Sequence, residues 1–305
     1  MQETIEKTVA EVSRVLLGKD RQVRLALCAL FSRGHLLIED MPGMGKTTLS
    51  HALAQALGLE FSRVQFTSDM LPGDILGVSV FDQNEKSFSF HPGPIFTEVL
   101  LADEINRTTP KTQSALLEAM AERQVTIDGV TRALPTEFFV IATQNPITQA
   151  GTFPLPESQL DRFLMRLEIG YPDRAAERQM LAGGGGAERV EALQPCVSRE
   201  ALREILSATQ RVSTSDLLLD YVQRLTEYSR RAPEFSHGLS PRGALALVTS
   251  AKSWAYMEGR SHVVPEDVQA VLAAVVSHRL RGMNEYSGDG RALAQRMLSQ
   301  VDVFA

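Results

Sequence analysis

A glycine-rich loop near the start of the chain has the residues needed to bind phosphate groups. It reads Asp40-Met41-Pro42-Gly43-Met44-Gly45-Lys46-Thr47-Thr48 and lies between a short apolar run and a helical pattern. Glycines at such a turn let backbone N–H groups point inward at phosphate oxygens, and the helix N-terminus adds partial positive charge. Lys46 would reach the terminal phosphates and Thr47 would bind Mg²⁺. The predicted phosphate-binding residues are Pro42, Gly43, Met44, Gly45, Lys46, Thr47 and Thr48.

The loop departs from the strict phosphate-binding pattern at one position. The pattern has glycine where this chain has Asp40. A connection rich in glycine and proline, without any ligand, is the alternative interpretation of the segment. The order of strand, turn and helix around Lys46 and Thr47 favours the nucleotide site.

Two adjacent carboxylates follow an apolar run further along the chain. Asp103 and Glu104 come directly after 99–102, where the carboxyl end of a strand is expected. Ligands of open α/β sheets bind at that edge. Asp103 would hold Mg²⁺, directly or through water, and Glu104 would orient and deprotonate an attacking water. Alone, such a pair more often marks the entry to a loop, but behind a phosphate loop it predicts hydrolysis.

Two further polar side chains are candidates for the same chemistry. Asn145 follows the apolar strand 138–143, so its amide could hydrogen-bond the γ-phosphate or the attacking water, although Asn-Pro also initiates turns. Arg162 lies in the segment 155–163, where a lone arginine could simply be a solvated helix end. These residues indicate a site only together with the phosphate loop.

Strand and helix patterns alternate along the first half of the chain, which predicts a parallel sheet covered by helices on both faces. Apolar runs predict strands at 34–39, 61–65, 99–103, 138–143 and 165–169, with helices at 49–57 and 111–123 between them. Period-2 alternation on both sides of a polar tip predicts two inserted β-hairpins. They span 78–90 and 125–132, and Asp128-Gly129 forms the turn of the second.

Beyond residue 172 the strand signals end and helical patterns take over. We predict an α/β domain at 1–172 and an all-α domain at 173–305, with a flexible glycine-rich linker at 183–186. Predicted helices cover 173–181, 198–210, 217–230, 241–257, 265–281 and 290–301. Ser240 and Pro241 form a cap and a first helical position, which holds Arg242 in the first turn of a helix.

Composition limits the remaining possibilities. The chain has 305 residues, 44% hydrophobic and 22% charged, which is typical of a globular protein large enough for two domains. Its net charge of −6 gives no electrostatic reason to expect nucleic-acid binding. Neither the two cysteines nor the six histidines have metal-ligand spacing. No signal peptide or membrane span is predicted, so we expect a cytoplasmic location.

Five segments together resemble the MoxR family of AAA+ ATPases, and the resemblance covers nearly the whole chain. They are HLLIEDMPGMGKTT, GPIFTEVLLADEINR, ATQNP, GTFPLPESQLDRF and SPRG. The family also tends to carry an acidic residue at the position of Asp40. The resemblance implies an AAA+ core with two hairpin insertions followed by a small helical lid. It further implies that Asn145 is similar to the sensor-1 residue, Arg162 to the arginine finger and Arg242 to the sensor-2 arginine.

The resemblance also implies an activity and partners. Members hydrolyse ATP with Mg²⁺ in a homo-oligomeric ring, commonly a hexamer, and remodel or mature a protein client, often with a von Willebrand factor A domain protein. Arg107 is a further candidate for the subunit interface. The alternative is a nucleotide-regulated scaffold that binds such a partner, and a nucleic-acid motor is disfavoured by the charge. The hairpins would face the pore or the partner, unless they are only structural.

Overall fold

The computed structural model describes residues 1–84, 86–145, 151–183, 187–283 and 290–303. The first part contains α1 (Gln2–Val15), α2 (Asp20–Phe31), β1 (His35–Glu39), α3 (Lys46–Ala56), β2 (Phe61–Gln65), α4 (Pro72–Leu76), β3 (Gly77–Asp82), β4 (Ser87–Pro92), β5 (Val99–Asp103), a 3₁₀ turn (Ile105–Arg107), α5 (Pro110–Glu122), β6 (Gln124–Ile127), β7 (Val130–Ala133), β8 (Phe139–Gln144), α6 (Glu157–Leu160) and β9 (Phe163–Leu167). The second part contains α7 (Arg174–Leu181), α8 (Ala187–Glu191), α9 (Arg199–Arg211), α10 (Asp216–Arg231), β10 (Phe235–His237), α11 (Pro241–Met257), α12 (Pro265–Val276), β11 (Arg281–Gly282) and α13 (Gly290–Gln300).

Five parallel strands form the central sheet in the order β2-β5-β8-β1-β9. All five predicted strands are present, so the prediction of a parallel-sheet core is confirmed. The last strand begins at Phe163, two residues before the predicted start at 165. Its pairing with β1 sets this position, because Phe163 lies opposite His35, the first residue of β1.

Both faces of the sheet are buried, which explains the continuous apolar runs of its strands. Alternate side chains enter two different cores: Leu36 and Ile38 pack with α1, α2, α3 and the helices of the second part, whereas Leu37 packs with α4 and α5. Helices therefore cover both faces, as predicted. Because the five strands run parallel, their carboxyl ends lie at one edge of the sheet, where the polar residues at these ends meet.

Both predicted hairpins are present as two-stranded antiparallel ribbons. β3 pairs with β4, and Phe81 lies opposite Phe88 near the tip. β6 pairs with β7 around Asp128 and Gly129, which both have positive φ, as a tight hairpin turn requires. The guanidinium of Arg132 lies 3.8 Å from the ring centroid of Phe90, so the two hairpins contact each other.

The second part is mainly helical, as predicted, but it differs from the prediction in three details. β10 and β11 pair antiparallel, so a small sheet lies within the lid. The predicted helix 265–281 ends at Val276, because the next residues bind the backbone of β9 instead. His278 and Arg279 both donate hydrogen bonds to the carbonyl of Phe163. A short helix, α8, also lies where none was predicted.

The two parts share one hydrophobic core, because buried residues of α1, α2 and α3 belong to the same cluster as those of α9 to α13. Thr209 of α9 donates to the carbonyl of Phe31 in α2 over 3.2 Å, and Ser32 donates to Ser253 of α11 over 2.8 Å. The boundary near residue 172 therefore stays a prediction. Of the predicted linker 183–186, only residue 183 belongs to the described part of the chain. None of the described helices combines the length and apolarity that crossing a bilayer needs.

Candidate functional site

The phosphate loop connects β1 to α3, with two glycines in conformations that other residues adopt only under strain. Gly43 has φ +83° and Gly45 has φ +90°. Asp40, at the position where the strict pattern has glycine, accepts a hydrogen bond from the backbone N–H of Gly170 over 2.6 Å. This carboxylate joins the start of the loop to the chain after β9, which gives the unusual residue a structural role.

Lys46 opens α3, and its side chain turns back over the loop. Its ammonium donates to the carbonyl of Asp40 over 2.5 Å and to Oδ1 of Asn145 over 2.8 Å. Burial lowers the pKa of Lys46, while the nearby carboxylates of Asp40, Asp103 and Glu104 offset part of that effect. The structure thus places a positive charge between the phosphate loop and the tip of β8.

Asp103 ends β5, which lies between β2 and β8, and is held by two side chains. Its Oδ1 accepts from the hydroxyl of Thr143 over 2.6 Å, and its Oδ2 accepts from Arg63 over 2.7 Å. Only 10% of the Asp103 side chain is exposed. These two contacts fix the carboxylate at the carboxyl end of β5, where its oxygens could serve as cation ligands.

Glu104 follows in a left-handed backbone conformation, with φ 58° and ψ 51°. Strained non-glycine residues of this kind cluster at functional sites. The backbone N–H of Glu104 donates to Oγ1 of Thr143 over 2.8 Å. Its carboxylate accepts from Asn145 over 3.1 Å, from Gln65 over 3.1 Å and from Arg107 over 2.9 Å. These contacts hold Glu104 beside the lysine and asparagine of the same edge.

Four of the residues selected from the sequence therefore meet at the carboxyl edge of the sheet. Asn145 links two of them, because its amide accepts from Lys46 and donates to Glu104. These four residues are Lys46, Asp103, Glu104 and Asn145. Charged groups of both signs converge here, so the edge can bind an anionic ligand together with a cation.

The residues present fit a nucleotide bound with Mg²⁺. An ideal Cβ at Gly43 would meet nothing within 4 Å, so the backbone there is open to a close ligand. Thr47, in the first turn of α3, and Asp103 supply hydroxyl and carboxylate oxygens. Protein sites for Mg²⁺ commonly use one or two such oxygens and complete the octahedron with phosphate and water. The described residues contain no group of three or more histidine, cysteine or carboxylate side chains that could hold a metal ion together.

Arg162 and Arg242 do not lie at the carboxyl edge of the sheet. Arg162 directly precedes Phe163, opposite the first residue of β1, whereas the phosphate loop follows the last residue of β1. The five residues of β1 correspond to about 16 Å, so Arg162 is at the opposite edge of the sheet from the loop. Arg242 lies at that same edge, with its guanidinium 4.0 Å from the carboxylate of Asp161.

Asp161 organises this second group of arginines. Its Oδ1 accepts from Arg279 over 2.7 Å, and its Oδ2 accepts from the hydroxyl of Ser240, the cap of α11. Arg279 is almost fully buried, and Arg162 itself donates to the carbonyl of Leu117 over 2.7 Å. The lid and the turn that carries Arg162 are therefore joined by one network, which we call the arginine corner: Asp161, Arg162, Ser240, Arg242 and Arg279.

Sequence reasoning missed three side chains that contact the carboxylates. Thr143 bridges Asp103 and Glu104, while Arg63 and Gln65 reach them from β2. A usable signal was present for the last two, because polar residues two apart on a strand share a face. Arg107, considered from the sequence for the subunit interface, pairs with Glu104 of the same chain.

Removing the hydroxyl of Thr143 tests whether this bridge supports the site. In a Thr143→Val variant, the Glu104 N–H and the Asp103 Oδ1 lose a buried partner, which costs about 1–3 kcal/mol of unfolding free energy. We expect ATP turnover, measured by phosphate release, to fall at least about tenfold, because both carboxylates lose their orientation.

Thr97→Val is the matched control, since Thr97 is equally buried but donates to the backbone of Glu60, away from the carboxylates. It should lose stability without a comparable loss of turnover. Equal turnover in Thr143→Val and the unchanged chain would contradict a positioning role for Thr143.

Family models match both parts of the chain. Residues 35–165 match the model of the ATPase family associated with various cellular activities (AAA), and residues 227–299 match the AAA lid domain. The first match contains the phosphate loop, the two carboxylates and Arg162. The second contains Arg242, which lies in α11.

Individual relatives match over most of their length. Chaperone MoxR1 of Mycobacterium tuberculosis is 40% identical over 288 residues, which cover 91% of this chain and 75% of that protein. Protein MoxR of Methylorubrum extorquens is 33% identical, covering 88% and 85%. A crystal structure of a Cytophaga hutchinsonii protein assigned as an ATPase superposes with a TM-score of 0.88 at 34% identity, covering 99% and 95%.

The parallel sheet, the phosphate loop and the lid define an ATPase of the AAA+ class. Within that class, identity of 33–40% to MoxR proteins over most of the chain is decisive. The chain belongs to the MoxR family. The resemblance stated from five sequence segments is thereby confirmed.

Proposed function

We propose that this protein hydrolyses ATP to ADP and phosphate with Mg²⁺ as cofactor. The observation that carries the proposal is the convergence of Lys46, Asp103, Glu104 and Asn145 at one edge of the sheet. Family membership supports nucleotide hydrolysis in general. The contacts around the two carboxylates support the more specific assignment of roles.

Each residue has a role in this proposal. The loop residues Pro42, Gly43, Met44, Gly45, Lys46, Thr47 and Thr48 bind the phosphates. Thr47 and Asp103 hold Mg²⁺, which offsets the negative charge of the phosphates. Glu104 accepts a proton from the attacking water, and Asn145 orients that water or the γ-phosphate. The contact between Asn145 and Glu104 supports this pairing.

We propose that the arginine corner acts on the nucleotide of a neighbouring subunit. Arg162 and Arg242 lie at the opposite sheet edge from the loop of their own chain. An arginine that stabilises the transferring phosphoryl group must contact it. A homo-oligomeric ring, of six subunits by family resemblance, would place each corner against the next site.

The work done by hydrolysis is proposed from the family. We propose chaperone-like remodelling or maturation of a protein client in the cytoplasm, since one relative is named a chaperone. A von Willebrand factor A domain partner is part of the same proposal by resemblance. The exposed Phe81 and Phe88, 49% and 73% accessible, offer apolar contact area on the first hairpin. Client-stimulated turnover with a structural change in the client would separate a motor from a scaffold.

The Lys46→Ala variant tests nucleotide binding directly. Loss of a charged hydrogen bond to phosphate is expected to weaken binding of a fluorescent ATP analogue in Mg²⁺ by about 10- to 100-fold. Lys7→Ala, which removes an exposed lysine of α1, is the control and should bind as the unchanged chain does. Equal affinity in Lys46→Ala and the unchanged chain would rule out the assigned phosphate loop.

A further inference from the structure

Arg63 is a positively charged side chain that contacts Asp103 directly and is linked to Glu104 through Gln65. It lies on β2, which is hydrogen-bonded to β5 along its whole length. Its Nε and Nη2 donate to the same oxygen of Asp103, over 3.2 and 2.7 Å. Nη2 also donates to Oε1 of Gln65 over 3.2 Å. One guanidinium therefore binds the carboxylate proposed for the cation and the amide beside Glu104.

The amide of Gln65 extends this contact to the proposed base. Gln65 accepts from Arg63 through Oε1, which leaves Nε2 to donate to Glu104 over 3.1 Å. An amide can accept on one side and donate on the other only in one orientation. Arg63 therefore selects the orientation in which Gln65 donates to Glu104.

We propose that Arg63 lowers the affinity of Asp103 for a divalent cation. The inference rests on the proposed function, because it concerns the same Mg²⁺ site. The guanidinium of Arg63 donates to Oδ2 of Asp103, and the hydroxyl of Thr143 donates to Oδ1. A cation at Asp103 must share the carboxylate with a positive charge that is already hydrogen-bonded to it.

Electrostatics sets the sign of the effect. Two like charges a few ångströms apart repel even in water, and the repulsion doubles for a divalent ion. The side chain of Arg63 is 48% exposed, so solvent screens part of this repulsion. Removing the guanidinium should still strengthen cation binding by about tenfold. Asp103 would keep its orientation, because Thr143 holds the other oxygen.

The test compares nucleotide affinity with and without the metal. A fluorescent, non-hydrolysable ATP analogue is titrated into the full-length chain, once in EDTA and once in saturating Mg²⁺. The dissociation constant in EDTA divided by that in Mg²⁺ measures how strongly the cation supports binding, and it needs no turnover. In Arg63→Ala this ratio is expected to rise by about tenfold relative to the unchanged chain.

Two control variants separate local charge from other effects. Arg63→Lys keeps the positive charge, so its ratio should stay close to that of the unchanged chain. Arg203→Ala removes one arginine that pairs with a similarly buried carboxylate, Glu137, ahead of β8 at the amino edge of the sheet. That variant has the same change in net charge and should leave the ratio unchanged. Melting temperatures confirm that all variants are folded.

The outcomes are distinct. An unchanged or smaller ratio in Arg63→Ala would overturn the inference, as would an equal increase in Arg203→Ala. An increase of similar size in Arg63→Lys would show that the charge is not responsible, which also contradicts it. Failure of the proposed function looks different, because the unchanged chain would then bind no nucleotide or show no dependence on Mg²⁺.

Discussion

Glu104→Gln is expected to retain ATP binding and to lose about 10²- to 10⁴-fold in turnover, the contribution of a general base. The physical reason is specific to this position. Glutamine is nearly the same size as glutamate, and its Oε1 can still accept a hydrogen bond from Asn145 or Gln65. The fold and the phosphate loop are therefore preserved, while the group that would accept a proton from water is lost.

Phosphate release and analogue binding measure the two halves of this prediction. Glu227→Gln is the control, since Glu227 is a half-exposed carboxylate on α10 that pairs with Arg231. It should bind and hydrolyse as the unchanged chain does. Hydrolysis at the original rate in Glu104→Gln would refute the role of Glu104 as the base.

Arg162→Ala is the second variant with a large expected effect. An arginine that contacts the transferring phosphoryl group contributes about 10³- to 10⁵-fold to the rate. Arg162 lies at the amino edge of the sheet, about one strand length from the phosphate loop of its own chain. Turnover should therefore fall by this factor because the neighbouring site loses its arginine, while analogue binding and the melting temperature stay nearly unchanged.

Mixing two inactive variants shows whether Arg162 acts between subunits. In a ring of Arg162→Ala and Glu104→Gln chains, some sites combine an intact Glu104 with an intact Arg162 from the neighbour. Equal random mixing makes about a quarter of the sites complete in a head-to-tail ring, so about a quarter of the turnover should return. Action within one chain predicts no recovery.

Arg231→Ala provides the control for Arg162→Ala. It removes an arginine that is largely exposed on α10 and pairs only with Glu227 among the described residues. Turnover in this variant should equal that of the unchanged chain. As a further control, two separately prepared samples of the same inactive variant are mixed. Recovery of turnover in that mixture would point to contamination rather than complementation.

Local sequence patterns predicted most of the fold, and they were wrong where distant contacts decide. The strand at 163–167 begins two residues earlier than predicted, because alternation is compatible with several starts and only pairing with β1 selects one. Helix α12 ends at Val276 rather than 281, because His278 and Arg279 bind the backbone of β9, more than 100 residues away in sequence. No local pattern contains that information.

Neighbouring residues along the chain are enough to predict the phosphate loop, the Asp103-Glu104 pair and the strands that carry them, because the chemistry of these motifs is local. Which side chains meet depends on the folded arrangement. Strand order brings Asn145 to Lys46 and Glu104, and the β2–β5 pairing brings Arg63 to Asp103. The same sheet separates Arg162 from its own loop. Such distances depend on pairing between distant segments, which periodicity along one chain does not specify.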